Sequence, residues 1–211
     1  MCKEDVAQIT KIDCETFPSQ WPPPNYQHEL RNRLNHYIVS CDEEKTVAEY
    51  ERKTFSENDL TEPASPLKRL SSRLRLLINK PPPSVEHIVG FAGFWILDEE
   101  AHITNIAVRE AYRRQGIGEL LLISLIDLAT ELKARIITLE VRVSNTTAQS
   151  LYTKYGFAQA GIHRGYYLDN REDALLMSTQ DITSVAFQTY LQQLKQAYAR
   201  RCGMVLSQIA R

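Results

Sequence analysis

Asn105-Ile106-Ala107-Val108, Arg113-Arg114-Gln115-Gly116-Ile117-Gly118, Thr138-Leu139-Glu140-Val141 and Leu151-Tyr152-Thr153-Lys154-Tyr155-Gly156-Phe157 follow one another within 105–157 of a 211-residue chain. The first is an apolar run that reads as a strand. The glycines at 116 and 118 read as a tight turn. Beyond them Ile117, Leu120, Leu121, Ser124, Leu125 and Leu128 form a helical stripe, widened by Ile123 and Ile126, which predicts a helix packed on a sheet. Ile136 to Val141 reads as a buried strand. Asn145 to Tyr155 reads as a short helix that Gly156 ends in the left-handed conformation. Strand, turn, helix and strand at this spacing suit a right-handed parallel crossover, so the fold class is α/β.

Upstream, Ile88 to Leu97 reads as a strand, Asp98-Glu99-Glu100 as a turn and Ala101 to Val108 as the next strand, antiparallel through so short a connection. Residues 42–87 interrupt the pattern. They begin acid-leaning, turn basic from Lys68 to Lys80 and end at Pro81-Pro82-Pro83. Leu67, Leu70, Leu74 and Leu77 permit a short amphipathic helix with a basic far side. The segment reads as a mobile, solvated insertion; contact of 68–80 with RNA or an acidic surface is the alternative, and the aromatic residues that stack on bases are missing there. Earlier, Val6, Ile9 and Ile12 suggest a first strand, and Cys14 to Trp21 a short helix or turn stopped by Pro22-Pro23-Pro24. Asn25 to Asn35 reads as a helix and His36 to Cys41 as a second strand. Trp21 and Tyr26 are packing residues or the border of a substrate entrance. Downstream, Phe157 to Ile162 and Ala174 to Ser178 read as an antiparallel pair. Thr183 to Arg201 reads as a helix anchored by Val185, Tyr190, Leu191, Leu194 and Tyr198, which packs on the domain or mediates association. The expected organisation is one domain over 1–182, holding the insertion at 42–87, and a helical extension over 183–211.

A hydrophobic content of 43% supplies a sizeable core, and a formal charge of −1 argues against a partner that recognises the whole molecule electrostatically. Cysteines at 2, 14, 41 and 202 match no short metal-ligand spacing, so reduced thiols and no metal site are expected. The polar amino terminus lacks an apolar signal core, and the longest apolar runs are too short to span a bilayer as helices. A cytoplasmic protein with no membrane partner is the expectation.

Gly116 and Gly118 let the backbone approach an anion, the first-turn N–H groups of the next helix point at it, and Arg113 and Arg114 add charge-assisted contacts. No Gly-Lys-Ser/Thr follows, and the glycines do not form a Gly-x-Gly-x-x-Gly signature, so a Walker loop and a dinucleotide fingerprint are excluded. A plain turn remains the alternative to a pyrophosphate site. Glu140 shares a strand face with Thr138 and Arg142. It is either ion-paired with Arg142 or a general base in a cleft. Tyr152 packs, or it protonates or holds a leaving group. Asn145 binds an amide or caps the next helix. His102 lies outside any ligand cluster and reads as solvated or packed, with a catalytic role as the lesser alternative.

This order of motifs resembles the GCN5-related N-acetyltransferases (GNAT), and within them the bacterial ribosomal-protein alanine N-acetyltransferase branch. Arg164-Gly165-Tyr166-Tyr167 followed by Arg171-Glu172-Asp173-Ala174 carries the match to that branch. The resemblance covers about 88–180 and extends less fully to 6–41. It implies a mixed, strongly bent sheet flanked by helices, with two splayed parallel strands admitting acetyl-CoA, and no metal. It places Ile106 and Val108 in the strand that meets the pantetheine arm. Arg113, Arg114, Gln115, Gly116, Ile117 and Gly118 become the pyrophosphate loop, and Asn145 approaches the pantetheine region. Glu140 becomes the general base, direct or through water, and Tyr152 the acid that protonates the coenzyme A thiolate. Tyr166 and Tyr167, with Trp21, border a peptide groove. The implied acceptor is the amino terminus of a protein, an alanine-starting ribosomal protein in this branch; acetylation of other peptides or small amines, or a catalytically silent acyl-CoA-binding adaptor, is the alternative. No covalent acetyl-enzyme is required. The insertion and the chain beyond 182 depart from the compact family pattern.

Overall fold

The computed structural model describes residues 1–17, 24–46 and 86–202. Contacts divide the chain into a larger unit, Met1–Ser40 with Val89–Arg211, and a smaller one, Cys41–Ile88. The smaller is described only where strands enter and leave it. Helix α1 (Val6–Thr16) and the one-turn α2 (Tyr26–Glu29) precede strand β1 (Asn35–Thr46). Then come β2 (Glu86–Leu97), β3 (Glu100–Val108), α3 (Ile117–Glu131), β4 (Ile136–Arg142), α4 (Thr146–Lys154), β5 (Phe157–Tyr167), β6 (Glu172–Thr179) and α5 (Val185–Cys202). The strands form one open mixed sheet in the order β1-β2-β3-β4-β6-β5. Strands β3 and β4 are parallel; β2–β3, β4–β6 and β5–β6 are antiparallel.

One sheet face supplies Ala92, Phe94, Ala101, Ile103, Ile137, Leu139 and Val141 to a core shared with Leu121, Leu122, Leu125 and Ile126 of α3. Each such Leu or Ile stabilises the fold by about 1.5–3 kcal/mol relative to exposure. On the opposite face Phe91 meets Tyr26 of α2 nearly edge-on, with ring centroids 5.7 Å apart.

Strands β3 and β4 pair only from Glu100 to Ile103 and from Ile136 to Leu139. Beyond that point β4 continues against β6 to Arg142, while β3 continues against β2 to Val108. Thr104 marks the parting. Phe94 pairs with Ile103 and Gly93 with Asn105, so Thr104 is an extra residue, a β-bulge that bends β3. Its Oγ1 donates to Gly93 O at 3.2 Å. The bulge also shifts the alternation of side chains, so that His102 and Asn105 share the outer face; Asn105 Nδ2 donates to Tyr26 Oη there at 3.1 Å.

Several expectations need correction. Residues 6–12 are helical, not a strand: Val6, Ile9 and Ile12 are three apart, which is a helical spacing, and Ile9, Ile12 and Asp13 form the buried side of α1. The helix expected from Asn25 to Asn35 stops after one turn. Asn25 Oδ1 accepts from His28 N at 3.2 Å as its cap, and Asn32 Oδ1 accepts from Leu34 N at 3.1 Å, a side-chain turn that competes with the helix. Strands β1 and β2 run further than expected, to Thr46 and from Glu86. The helix expected over Leu67 to Leu77 and the basic segment 68–80 lie outside the described residues. On α5 the anchors are Phe187, Leu191, Leu194 and Tyr198, whereas Val185 is 83% exposed. No helix among the described residues is long and apolar enough to cross a membrane.

Candidate active site

Leu139 and Val141 point into the core, so alternation puts Glu140 on the outer face, beside the place where β3 departs. His102 reaches it from β3, with Nε2 2.9 Å from Glu140 Oε2. The His102 ring stacks on Trp95 at 4.9 Å between centroids. Its Nδ1 lies 2.9 Å from Thr138 Oγ1, and that hydroxyl donates to Glu100 Oε1 at 2.7 Å. A carboxylate only accepts, so Thr138 commits its hydrogen to Glu100 and receives Nδ1–H. One proton is then shared between His102 Nε2 and Glu140. When the Thr138 hydroxyl turns to Nδ1 instead, Nε2–H donates to an ionised Glu140. From the other side His163 Nδ1 stands 3.7 Å from Glu140 Oε1. Arg142 turns to different partners: Asp169 at 2.9 Å, Glu172 at 3.1 Å and the Tyr167 ring at 3.8 Å.

Tyr152 is on α4, packed against Phe157 at 5.8 Å between ring centroids. Burial pushes its pKa up to about 12, and the nearby Tyr167 phenol adds to the effect. It therefore keeps its proton at neutral pH and can donate it in a hydrogen bond to a leaving group. Tyr167 is also pushed up to about 12, by burial first, with Arg142 working against it. Tyr166 is raised by burial and by the charge of Glu140. Its ring lies 5.7 Å from His163 and 5.2 Å from Tyr167. The structure thus gathers Glu140, Tyr152, Tyr166 and Tyr167 and adds His102 and His163, which the sequence reading left aside. Asn145 serves as the cap of α4, its Oδ1 accepting from Ala148 N at 3.1 Å. Trp21 lies outside the described residues.

The 113–118 turn joins β3 to α3. Gly116 is the N-cap of α3 at φ 88°, and Arg114 is left-handed at φ 64°. Arg113 Nε donates to Val108 O at 3.2 Å and Gln115 Nε2 to Ala111 O at 3.1 Å, so both side chains shape the loop. Ile117 and Gly118 open α3, whose first-turn N–H groups have no partner within the helix and carry the positive end of its dipole. Ile106 and Val108 pack on the core, and their backbone runs past the last β3–β4 pair. Among the described residues the β3 backbone has no partner toward β4 beyond Ile103, and the helix start beside Arg114 offers N–H groups to an anion. Among the described residues no group of three or more His, Cys, Asp or Glu is placed to hold a metal ion.

The chain belongs to the acetyltransferase (GNAT) family, whose model matches residues 45–157. Together with the family match, the open mixed sheet splayed beside a glycine turn and a helix N-terminus makes this an acetyl-CoA-dependent acyltransferase. It is 35% identical over 175 residues, 82% of this chain and 88% of the relative, to a Bacillus subtilis protein provisionally named a ribosomal protein bS18-alanine N-acetyltransferase. The Escherichia coli ribosomal protein bS18-alanine N-acetyltransferase is 43% identical over 93 residues, which is 43% of this chain and 63% of that enzyme. A solved chimera of the Vibrio cholerae spermidine N-acetyltransferase has a TM-score of 0.59 over 91% of this chain and 95% of its own, at 16% identity, a likeness of fold.

Proposed function

We propose that this enzyme is an N-alpha-acetyltransferase that acetylates the amino terminus of a protein, an alanine-starting ribosomal protein, in the cytoplasm. The observation that carries the reading is Glu140 on the outer face at the strand splay, hydrogen-bonded to His102, with Tyr166 and Tyr167 beside it. The names of the Bacillus and Escherichia relatives support the acceptor. The splay between β3 and β4 and the 113–118 turn hold the donor. Acetyl-CoA bound there supplies the thioester carbon. Glu140 takes the proton of the acceptor amine as it attacks, and His102, hydrogen-bonded to Oε2 through Nε2, holds the carboxylate in place. Tyr152 gives its proton to the departing sulfur. Tyr166, 46% exposed at the end of β5, lines the peptide side.

The reading is tested by offering acetyl-CoA with peptides beginning in Ala, Ser or Met, a blocked peptide with internal Lys, and spermidine, then locating acetyl groups by mass spectrometry. Acetylation of the Ala amino terminus is expected. Transfer confined to internal Lys or to spermidine overturns the acceptor assignment.

A further inference from the structure

Helix α5 lies beyond the segment that the family model matches, yet it packs on the parts of the chain assigned above to the donor. Ser184 starts it, with Oγ accepting from Phe187 N at 3.2 Å. At its first turns Phe187 covers Gly156, where an added Cβ would come within 3.1 Å of the ring, and Tyr190 Oη donates to Lys154 O at 3.0 Å. Both contacts end α4, the helix that carries Tyr152. In the middle Lys195 pairs with Asp127 of α3. At the last turns Tyr198 is buried and its Oη donates to Gly116 O at 3.4 Å. A Cβ on Gly116 would meet Cys202 Sγ at 3.2 Å. Arg201 pairs with Glu119.

Glu119 gives the last contact its meaning. It sits in the first turn of α3, one residue past Gly118, where the free N–H groups face an anion. A carboxylate at that place competes with a diphosphate for the same positive end. Here it is buried and accepts from Lys154 Nζ at 2.6 Å, from Tyr155 Oη at 2.7 Å and from Arg201. Burial works to raise its pKa, but these hydrogen bonds outweigh burial and hold the carboxyl below its ordinary range. It is therefore charged at neutral pH, and Arg201 is one of the two cations that balance it.

We propose that Tyr198 and Arg201 are positioning residues for acetyl-CoA: α5 braces the 116–119 turn in its anion-receiving shape and cancels the Glu119 charge beside the donor diphosphate. The proposal rests on the reading of 113–118 as the diphosphate turn. In the full chain, Arg201→Ala should raise both the KM for acetyl-CoA and the Kd for coenzyme A roughly tenfold, about what one lost charge-assisted bond gives. The loss should fall on the donor KM rather than on kcat or the peptide KM. Arg201→Lys should recover most of it. Adding Glu119→Gln to Arg201→Ala should restore donor affinity, because the competing carboxylate is gone while the Lys154 cation stays. A brace that merely stabilised the fold would lower Tm without that rescue, so unchanged coenzyme A affinity in Arg201→Ala, or no rescue by Glu119→Gln, overturns the proposal. Coupling is reciprocal, so coenzyme A should slow amide exchange over 185–202; exchange that ignores the ligand counts against it equally. Gly116→Val separates the two levels. If it spares coenzyme A binding, the diphosphate turn itself is wrong. If it abolishes binding while the Arg201 and Tyr198→Phe variants bind normally, only the brace is wrong.

Discussion

The glycine turn at 116–119 and the end of β5 at Tyr166 and Tyr167 are assigned to the two substrates of one reaction, and different forces hold them. Around the turn the supports come from far along the chain: buried Tyr155 from α4 and buried Tyr198 from α5, with the exposed Arg201 of α5, closing on Glu119 and Gly116. Around the β5 end they are partly exposed ion pairs. Arg142 is pinned by Asp169 and Glu172, Arg164 by Asp173 at 2.5 Å, and the connecting Leu168 is 81% exposed. A donor that never varies can be met by a rigid, buried frame. An acceptor that must be told from similar peptides is met by exposed aromatic rings on an adjustable edge.

Glu140 stands between the two regions, and its removal should be the largest single effect. Glu140→Gln keeps the shape and loses the base, so kcat should fall by roughly 10²–10⁴-fold with coenzyme A affinity nearly unchanged. Steady-state rates beside calorimetric titration of coenzyme A decide this. Normal turnover across the pH range would remove Glu140 from the chemistry.

The next pair of variants tests whether the regions are independent. Gly116→Val puts a β-branched residue at φ 88° and drives its Cβ toward Cys202 and Tyr198. The left-handed backbone alone costs about 1–2 kcal/mol. Acetyl-CoA KM should rise at least roughly tenfold while peptide KM holds. Tyr166→Ala should do the reverse, raising peptide KM several-fold and leaving the donor untouched. A variant that moves both constants together would show that the two regions are one.

His102→Gln should come third. Losing the ring that shares a proton with Glu140 removes about one net hydrogen bond, about 1–1.5 kcal/mol or roughly tenfold in kcat/KM. Steady-state rates at limiting and saturating peptide measure it, and an unchanged kcat/KM would make the His102 contact idle in the reaction.

What the sequence made legible was local. The crossover from Asn105 to Phe157 follows from periodicities of two and 3.6, and its strands, helices and left-handed Gly156 lie where the pattern puts them. Glu140 and Tyr152 could be nominated from residue type and the order of the motifs. The His102–Glu140 contact was hidden because it depends on the parallel register that sets His102 opposite Thr138, a pairing between residues 36 apart in the chain. The outer placement of Asn105 was hidden for a related reason, since a bulge at Thr104 resets the alternation. Helix α5 was legible as a helix, but nothing local tells Tyr198 that Gly116 lies beneath it.

The smallest expected effect concerns how the exposed region answers acid. Glu172 Oε1 accepts from Ser144 N at 2.8 Å. The Ser144 side chain first, then that backbone hydrogen bond, and Arg142 after them, hold its carboxyl at about 2 against an ordinary 4.5. A carboxyl depressed in the folded state adds stability above its unfolded pKa and loses it as pH falls through the folded one. The Glu172 contribution should therefore be complete near neutral pH, decline from about 4.5 and be lost as pH falls through about 2. Glu172→Gln should lower Tm slightly at pH 7, and the gap to the parent enzyme should narrow steadily toward pH 2, where the parent carboxyl is half protonated. Glu119→Gln has the same sign, since its carboxyl also lies below its ordinary range, but it breaks bonds to α4 and α5 and should cost more Tm at pH 7. Melting curves from pH 7 to 2 on the three proteins measure both. The kinetic signature separates the regions: Glu172→Gln should disturb the peptide KM through Arg142 and Tyr167 and spare the acetyl-CoA KM. A larger Tm loss from Glu172→Gln than from Glu119→Gln would reverse the assignment of which region is the rigid one.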